Sequence, residues 1–162
     1  MPERGGRPAA DPTRVAADAD VLAADLLVGG PARAAMDLLR EHSWLTLVAS
    51  DPLLDDAEAV VETLADAGLA ADWRERIAAE REAVTHAAGD HPGLASAVAG
   101  EAAHLLTLEG DLGGARANLS LQPRVRLSVR TPDAFVATFD AAALYEATQD
   151  GDYPGPDRDP RG

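Results

Sequence analysis

The fold that the sequence predicts is decided by residues 45–64, which read LTLVASDPLLDDAEAVVETL. Residues 45–49 form a short apolar run bounded by turn-forming residues, a pattern typical of a buried strand. Pro52 follows at the first position of a helix, where a missing backbone N–H has little cost. Apolar residues then recur at helical spacing as far as Leu64. This stretch therefore predicts a strand that leads directly into an amphipathic helix.

Three further segments predict strands. Residues 14–17 are a short strand candidate whose β-propensity is poor, since Ala fills two positions, and residues 105–108 read as a buried strand. Residues 125–129 alternate apolar side chains with Arg and Ser, as in a half-exposed edge strand. Strands separated by helices pair in parallel through right-handed crossovers. The sequence therefore predicts a three-layer α/β domain with a small parallel sheet of four strands, ordered second, first, third, fourth across the sheet.

Two more helices are expected between the second and third of these strands. Residues 72–87 carry apolar side chains at helical spacing on one side and a ring of Arg and Glu on the other. A helix rich in small residues is expected to begin at His91-Pro92 and to continue past Gly100. Both helices are expected to cover the sheet.

The two ends of the chain differ in composition from its middle. Residues 1–12 hold three of the 11 prolines, and residues 148–162 hold three more among Gly, Asp and Arg. Segments of this composition bury little apolar surface. We therefore expect flexible tails over 1–12 and 146–162, and one folded domain over 13–145.

The charge balance is strongly acidic. The chain carries 28 Asp and Glu against 14 basic residues, all of them Arg, for a formal net charge of −14. A composition with no Lys, a single Ile and abundant Ala, Asp and Glu is expected of a halophilic archaeon. At about 1 M salt the Debye length falls to about 3 Å, so dense negative charge is tolerated. A GC-rich genome, which favours Arg over Lys, is the alternative explanation.

Composition also excludes several classes of protein. The chain has no cysteine, which excludes disulfide scaffolds, thiolate zinc sites and cysteine nucleophiles. No apolar run approaches the roughly 18 residues of a membrane span. Residues 1–12 lack the apolar segment of an export signal. We therefore expect a cytoplasmic protein with no membrane partner.

Acidic side chains follow three of the predicted strands. Asp18 follows the first, Asp51 the second, and Glu109 and Asp111 the third. Ligand sites of parallel α/β sheets form beyond the carboxyl ends of the strands. Crowded carboxylates repel one another unless a cation bridges them, and oxygen ligands suit Mg²⁺ or Mn²⁺. The sequence therefore predicts a divalent-metal site, of the kind that supports phosphodiester hydrolysis.

Five motifs stand in order along the chain, namely VAADADVL at 15–22, SDPLLDD at 50–56, DHPGL at 90–94, LLTLEGDL at 105–112 and TPDAF at 131–135. Their order and spacing over residues 13–140 resemble those of PIN-domain nucleases. The resemblance implies a PIN-like fold and a metal-dependent nuclease with RNA as the expected substrate. It also implies that five carboxylates hold Mg²⁺ or Mn²⁺ and serve catalysis, namely Asp18, Asp56, Asp90, Glu109 and Asp111.

Departures from the PIN pattern keep a second function open. Asp20 stands where the family usually has Asn, Glu109 stands in place of an Asp, and Asp90 and His91 compete for the position of the third acid. The alternative is a catalytically inactive PIN-like module that binds a protein partner, a second copy of the chain or RNA. A receiver-like phosphotransfer domain is a third alternative, but such domains usually need a Lys at a strand end and this chain has none.

Several candidate residues also have structural explanations. Asp18 could serve in a turn or helix cap, Asp20 is expected to be the N-cap of the first helix, and Asp90 could interact with a helix dipole. On the helix within residues 45–64, Asp55 lies opposite the apolar stripe and is expected to face solvent. Asp56 lies at the margin of that stripe and is the better ligand.

Residues 112–132 contain four Arg and no acid, so this segment is basic although the whole chain is acidic. We expect this strip to face phosphate, with Arg116 and Arg130 nearest the carboxyl ends of the strands. The alternative is an edge strand whose Arg side chains pair with neighbouring helices.

Overall fold

The structure is a computed structural model and describes residues 10–108 and 127–161. In these residues one or two helices follow each of the first three strands, and two helices follow the last. The strands are β1 (Asp11–Ala17), β2 (Thr46–Ser50), β3 (Glu82–Val84), β4 (Ala102–Leu106) and β5 (Ser128–Arg130). The helices are α1 (Ala19–Leu27), α2 (Gly30–Arg40), α3 (Asp51–Leu64), α4 (Ala67–Glu80), α5 (Pro92–Ala99), α6 (Pro132–Thr138) and α7 (Ala141–Thr148). None of these helices is long and apolar enough to cross a membrane.

The five strands form one parallel sheet in the order β3-β2-β1-β4-β5. Along the central strand β1, Val15 and Ala17 face one side of the sheet and Ala16 faces the other, because side chains alternate along a strand. One apolar core packs α1 to α4 and α6 against the first side, and a second core packs α5 against the other. The predicted α/β architecture, a parallel sheet flanked by helices, is confirmed.

The observed strand order differs from the predicted one because the sheet has a fifth strand. β3 lies at the edge beside β2, within the segment 72–87 that the sequence pattern assigns to a helix. The helix ends before Arg81, whose guanidinium donates a hydrogen bond to the Ala49 carbonyl at 2.9 Å. Glu82 forms an ion pair with Arg14 of β1. These contacts between distant parts of the chain hold β3 extended and override its local helical pattern.

Helix α5 also ends earlier than the sequence predicts. The helix ends at Ala99, and Gly100 lies so close to β2 that a Cβ there would come within 2.8 Å of the Val48 side chain. Glu101 follows with a positive φ of 57°. This tight turn lets β4 begin at Ala102, before the start that the apolar run indicates.

The segment after α7, expected to be part of a flexible tail, contacts the chain between α2 and β2. The Tyr153 hydroxyl lies 2.6 Å from Nε2 of His42, a side chain that is almost fully buried. The Asp157 carboxylate accepts a hydrogen bond from the Ser43 backbone N–H at 2.8 Å. These contacts are polar, so a composition poor in apolar residues gives no sign of them.

Candidate functional site

Asp18 lies at the carboxyl end of the central strand β1 and caps α1. Its Oδ1 accepts a hydrogen bond from the Ala19 backbone N–H at 2.9 Å. Its Oδ2 accepts one, at 3.4 Å, from Oγ1 of Thr107, which follows β4. Only 5% of Asp18 is exposed. The structure therefore fixes this carboxylate where ligand sites of parallel sheets form.

His91 faces the same carboxylate from the amino end of α5. Its Nε2 lies 3.7 Å from Oδ2 of Asp18, and its Nδ1 accepts a hydrogen bond from the Leu94 backbone N–H at 3.3 Å. Because Nδ1 is an acceptor, the proton of the neutral ring lies on Nε2, on the side of Asp18. Gly93 permits the close approach, since a Cβ there would lie 2.5 Å from Oδ1 of Asp18.

Asp20 connects α1 to the chain after β4, and it is not the N-cap of α1. Its Oδ2 accepts a hydrogen bond from the Leu108 backbone N–H at 3.1 Å. The prediction that Asp20 caps the helix was wrong because β1 ends at Ala17 and α1 starts directly after Asp18. Asp18 and Asp20 together hold the start of α1 against the end of β4.

A buried pair of hydroxyl groups joins the end of β2 to α5. Ser50 and Ser96 are fully buried, and their Oγ atoms lie 3.0 Å apart. Oγ of Ser50 also accepts a hydrogen bond from the Leu53 backbone N–H and lies 2.8 Å from Nε2 of His86. Because a fully buried hydroxyl cannot reach a substrate, we assign this network the structural role of fixing the loop after β3.

Arg side chains bind the carboxylates at the start of α3. Arg81 donates a hydrogen bond to Asp51, which holds the pKa of this carboxyl below its usual value. Arg74 of α4 pairs with Asp55 at 2.6 Å and with Glu58 at 3.0 Å. These carboxylates are therefore ion-paired, which makes them poorer ligands for a metal ion.

The other predicted metal ligands do not assemble around Asp18 within the part of the chain that the structure describes. Asp56 lies on the exposed side of α3, and Asp90 lies in the turn before α5, where His91 is the residue that faces Asp18. Among residues 10–108 and 127–161 there is no group of three or more His, Asp or Glu side chains placed to hold a metal ion. Three predicted site residues lie outside these ranges, namely Glu109, Asp111 and Arg116.

Arg130, predicted to contact phosphate, lies against α6. One terminal guanidinium nitrogen donates a hydrogen bond to Oγ1 of Thr138 at 3.3 Å, and Nε is buried without a hydrogen-bond partner among the residues that the structure describes. This position agrees with the alternative interpretation, an edge-strand Arg that pairs with a neighbouring helix.

Fold and site together define a class of protein. It is an α/β domain with a carboxylate and an imidazole beyond the end of its central parallel strand. The chain belongs to DUF7384, a family of unknown function whose sequence profile matches residues 9–161 and so includes every strand and helix described above. No curated protein and no solved structure matches the chain.

Proposed function

We propose that this chain is a PIN-like, metal-dependent nuclease that hydrolyses RNA at a site centred on Asp18. The observation that carries the proposal is the placement of this buried carboxylate, whose Oδ2 is directed toward Thr107 and His91. The neighbouring order β2-β1-β4-β5 within the sheet supports it, because this is the strand order expected of a PIN-like fold.

Some of the groups around Asp18 suit a divalent cation as ligands, and others do not. The carboxylate is an oxygen ligand of the kind that Mg²⁺ and Mn²⁺ prefer, and its Oδ2 is not used to cap the helix. Nε2 of His91 carries a proton in this arrangement, so it is a donor and not a ligand. We propose that Glu109 and Asp111, which follow soon after β4 in the sequence, supply further oxygen ligands.

Asp18, Thr107 and His91 would each have a different role in hydrolysis. A bound divalent cation supplies a water of lowered pKa and stabilises negative charge on the phosphate. Asp18 would hold the cation through Oδ2, and the hydroxyl of Thr107 would keep that oxygen oriented. The N–H of His91 would donate to a phosphate oxygen, where a fixed donor stabilises developing charge.

A catalytically inactive PIN-like module is the second candidate function. It is favoured by the position of His91, because an imidazole lies at Asp18 where the PIN pattern has an acid. It is also favoured by the Arg81 partner of Asp51, which occupies one of the carboxylates that follow the strands. In this case the chain would bind RNA or a protein partner without hydrolysis.

An RNA cleavage assay separates the two functions. Purified chain is incubated with labelled single-stranded RNA in about 2 M KCl, where screening is strong, with Mn²⁺, with Mg²⁺ or with EDTA. Cleavage that requires the metal supports the nuclease. Binding of RNA without cleavage supports the inactive module, and a folded chain that neither binds nor cuts RNA contradicts the proposed nuclease.

His91→Asp should strengthen the response to metal. Asp is a favoured N-cap, so α5 should still form, and the new carboxylate would lie beside Asp18. Without metal, repulsion should lower Tm by a few degrees, as for a loss of about 1–2 kcal/mol. With Mn²⁺, the rise in Tm should exceed that of the wild type. His91→Asn, which caps without a charge, is the control, and equal Mn²⁺ shifts for both variants would contradict a metal site here.

A further inference from the structure

The loop between β3 and α5 ends on His91, the residue that faces Asp18. This loop, residues 85–91, is held to the sheet by His86, whose Nε2 lies 2.8 Å from Oγ of Ser50 at the end of β2. The ring of His86 is half-buried, so part of it already faces solvent. The contact with Ser50 therefore fixes the loop just before it reaches the proposed site.

The second nitrogen of the His86 ring defines where its proton lies. Nδ1 lies 3.0 Å from the Ala87 carbonyl oxygen, which can only accept a hydrogen bond. The proton of the neutral ring is therefore on Nδ1, and Nε2 is left as an acceptor. It follows that the Ser50 hydroxyl donates to Nε2 of the neutral ring.

Three more hydrogen bonds join Ser50 to its buried neighbours. The Leu53 backbone N–H donates to Oγ of Ser50 at 3.2 Å, and the Ser50 backbone N–H donates to Oγ of Ser96 at 3.0 Å. The Ser96 hydroxyl donates to Oγ of Ser50, also at 3.0 Å. With a neutral His86 ring, each contact of this network therefore has one hydrogen, and each hydrogen has an acceptor.

A protonated His86 ring adds one hydrogen to the network and removes one acceptor. Nε2–H would donate to Oγ of Ser50, and the hydroxyl hydrogen of either Ser50 or Ser96 would be left without an acceptor. Both serines are fully buried, so water does not replace the lost hydrogen bond. The contact between His86 and Ser50 therefore favours the neutral ring, whereas solvent favours the protonated one.

Charged groups on the surrounding elements do not offset this preference. Asp51, at the start of α3, is exposed and ion-paired with Arg81. Glu82 of β3 is exposed and ion-paired with Arg14. Helix α5 has no charged side chain, and Asp90 lies on the loop itself, in the turn before that helix. These elements therefore provide no fully buried carboxylate that would stabilise a protonated ring within the network.

We infer that His86 is a positioning residue of the proposed site and that its protonation releases the loop that leads to His91. The neutral ring holds the loop against Ser50, with His91 beside Asp18. The protonated ring turns to solvent, and the first turn of α5 loosens with the loop. An unperturbed imidazole changes charge between about pH 5 and 8, so the site is assembled at about pH 8 and loosened at about pH 5. The link to catalysis rests on the proposed function, whereas the release of the loop does not.

Amide hydrogen exchange of the full chain, resolved by NMR in about 2 M KCl and corrected for intrinsic rates, tests the release. The Ser50 and Leu53 amides donate within the network. Between about pH 8 and pH 5 their protection should fall at least about tenfold, as local opening becomes favourable. His86→Gln is the matched variant, because its amide oxygen accepts from the Ser50 hydroxyl but takes up no proton in this range. Its protection should change less than about twofold.

The Leu94 amide, which donates to Nδ1 of His91, reports on the start of α5. At about pH 5 it should exchange at least about threefold faster in the wild type than in His86→Gln, and comparison at one pH cancels the titration of His91 itself. His86→Ala, the second variant, should show low protection of the Ser50 amide at both pH values. Unchanged wild-type protection, an equal fall in His86→Gln, or full protection in His86→Ala would each overturn the inference. All these measurements follow exchange, so a chain that cuts no RNA would contradict the nuclease and leave the role of His86 standing.

Discussion

Asp18→Asn should lower metal-dependent RNA cleavage by at least about 100-fold while the chain stays folded. A catalytic cation contributes several kcal/mol to transition-state stabilisation, and each 1.36 kcal/mol is a factor of ten in rate. Asn is as good an N-cap as Asp, so its side-chain oxygen can still accept the Ala19 N–H and α1 should be retained. Single-turnover cleavage of labelled RNA measures the loss, and circular dichroism verifies the fold.

Asp55→Asn makes the same chemical change away from the proposed site. The Asp55 side chain is 65% exposed and pairs with Arg74, so its loss should cost at most about 1 kcal/mol and leave cleavage unchanged. Equal losses in both variants would mean that total negative charge controls activity. Wild-type cleavage by Asp18→Asn would show that Asp18 does not hold the metal ion.

Lowering KCl from about 2 M to about 0.1 M should reduce Tm by about 10 °C or more, or unfold the chain. The Debye length then grows to about 10 Å, so a net charge of −14 acts across much of the surface. Helices α3 and α4 carry many Asp and Glu residues. Those whose side chains are exposed include Asp56, Glu62, Asp72 and Glu75. A loss of several kcal/mol corresponds to this change in Tm for a chain of this length.

A sucrose series separates screening from general stabilisation. Sucrose strengthens apolar burial without screening charge, so it should not replace KCl if repulsion drives the loss. Thermal melts followed by circular dichroism measure both series. Unchanged stability in dilute buffer would support the GC-rich genome as the reason for the composition and would argue against halophilic adaptation.

The class of fold follows from the sequence because short, largely apolar segments mark most of the strands. Residues 14–17 and 45–49 fall almost entirely within β1 and β2, and helices separate them as predicted. Asp18 follows from the same logic, since a polar residue directly after a central parallel strand lies at the edge where sites form. Local pattern is sufficient for these features because each depends on neighbours along the chain.

Features that depend on contacts between distant residues could not be predicted in this way. β3 has a helical pattern and is held extended by Glu82 with Arg14 and by Arg81 with Ala49. The contact of His86 with Ser50 depends on that strand, so it has no signal in the sequence.

Asp90 and His91 are adjacent candidates for the third acid position. Which of the two faces Asp18 depends on the residue at which α5 begins. A motif match does not resolve a difference of one residue. In the structure His91 is the N-cap of α5 and lies 3.7 Å from the Asp18 carboxylate, whereas Asp90 lies in the turn before the helix.

The most direct test of the central claim, a metal ion held by Asp18, is paramagnetic line broadening by Mn²⁺. His91 lies 3.7 Å from the Asp18 carboxylate, whereas His42 lies between α2 and β2, at the amino end of that strand. In about 2 M KCl, which screens weak binding to surface acids, substoichiometric Mn²⁺ should broaden the imidazole resonances of His91 and leave those of His42 sharp. Asp18→Asn should abolish the difference. Equal broadening of both histidines, or none at His91, would contradict a metal site at Asp18.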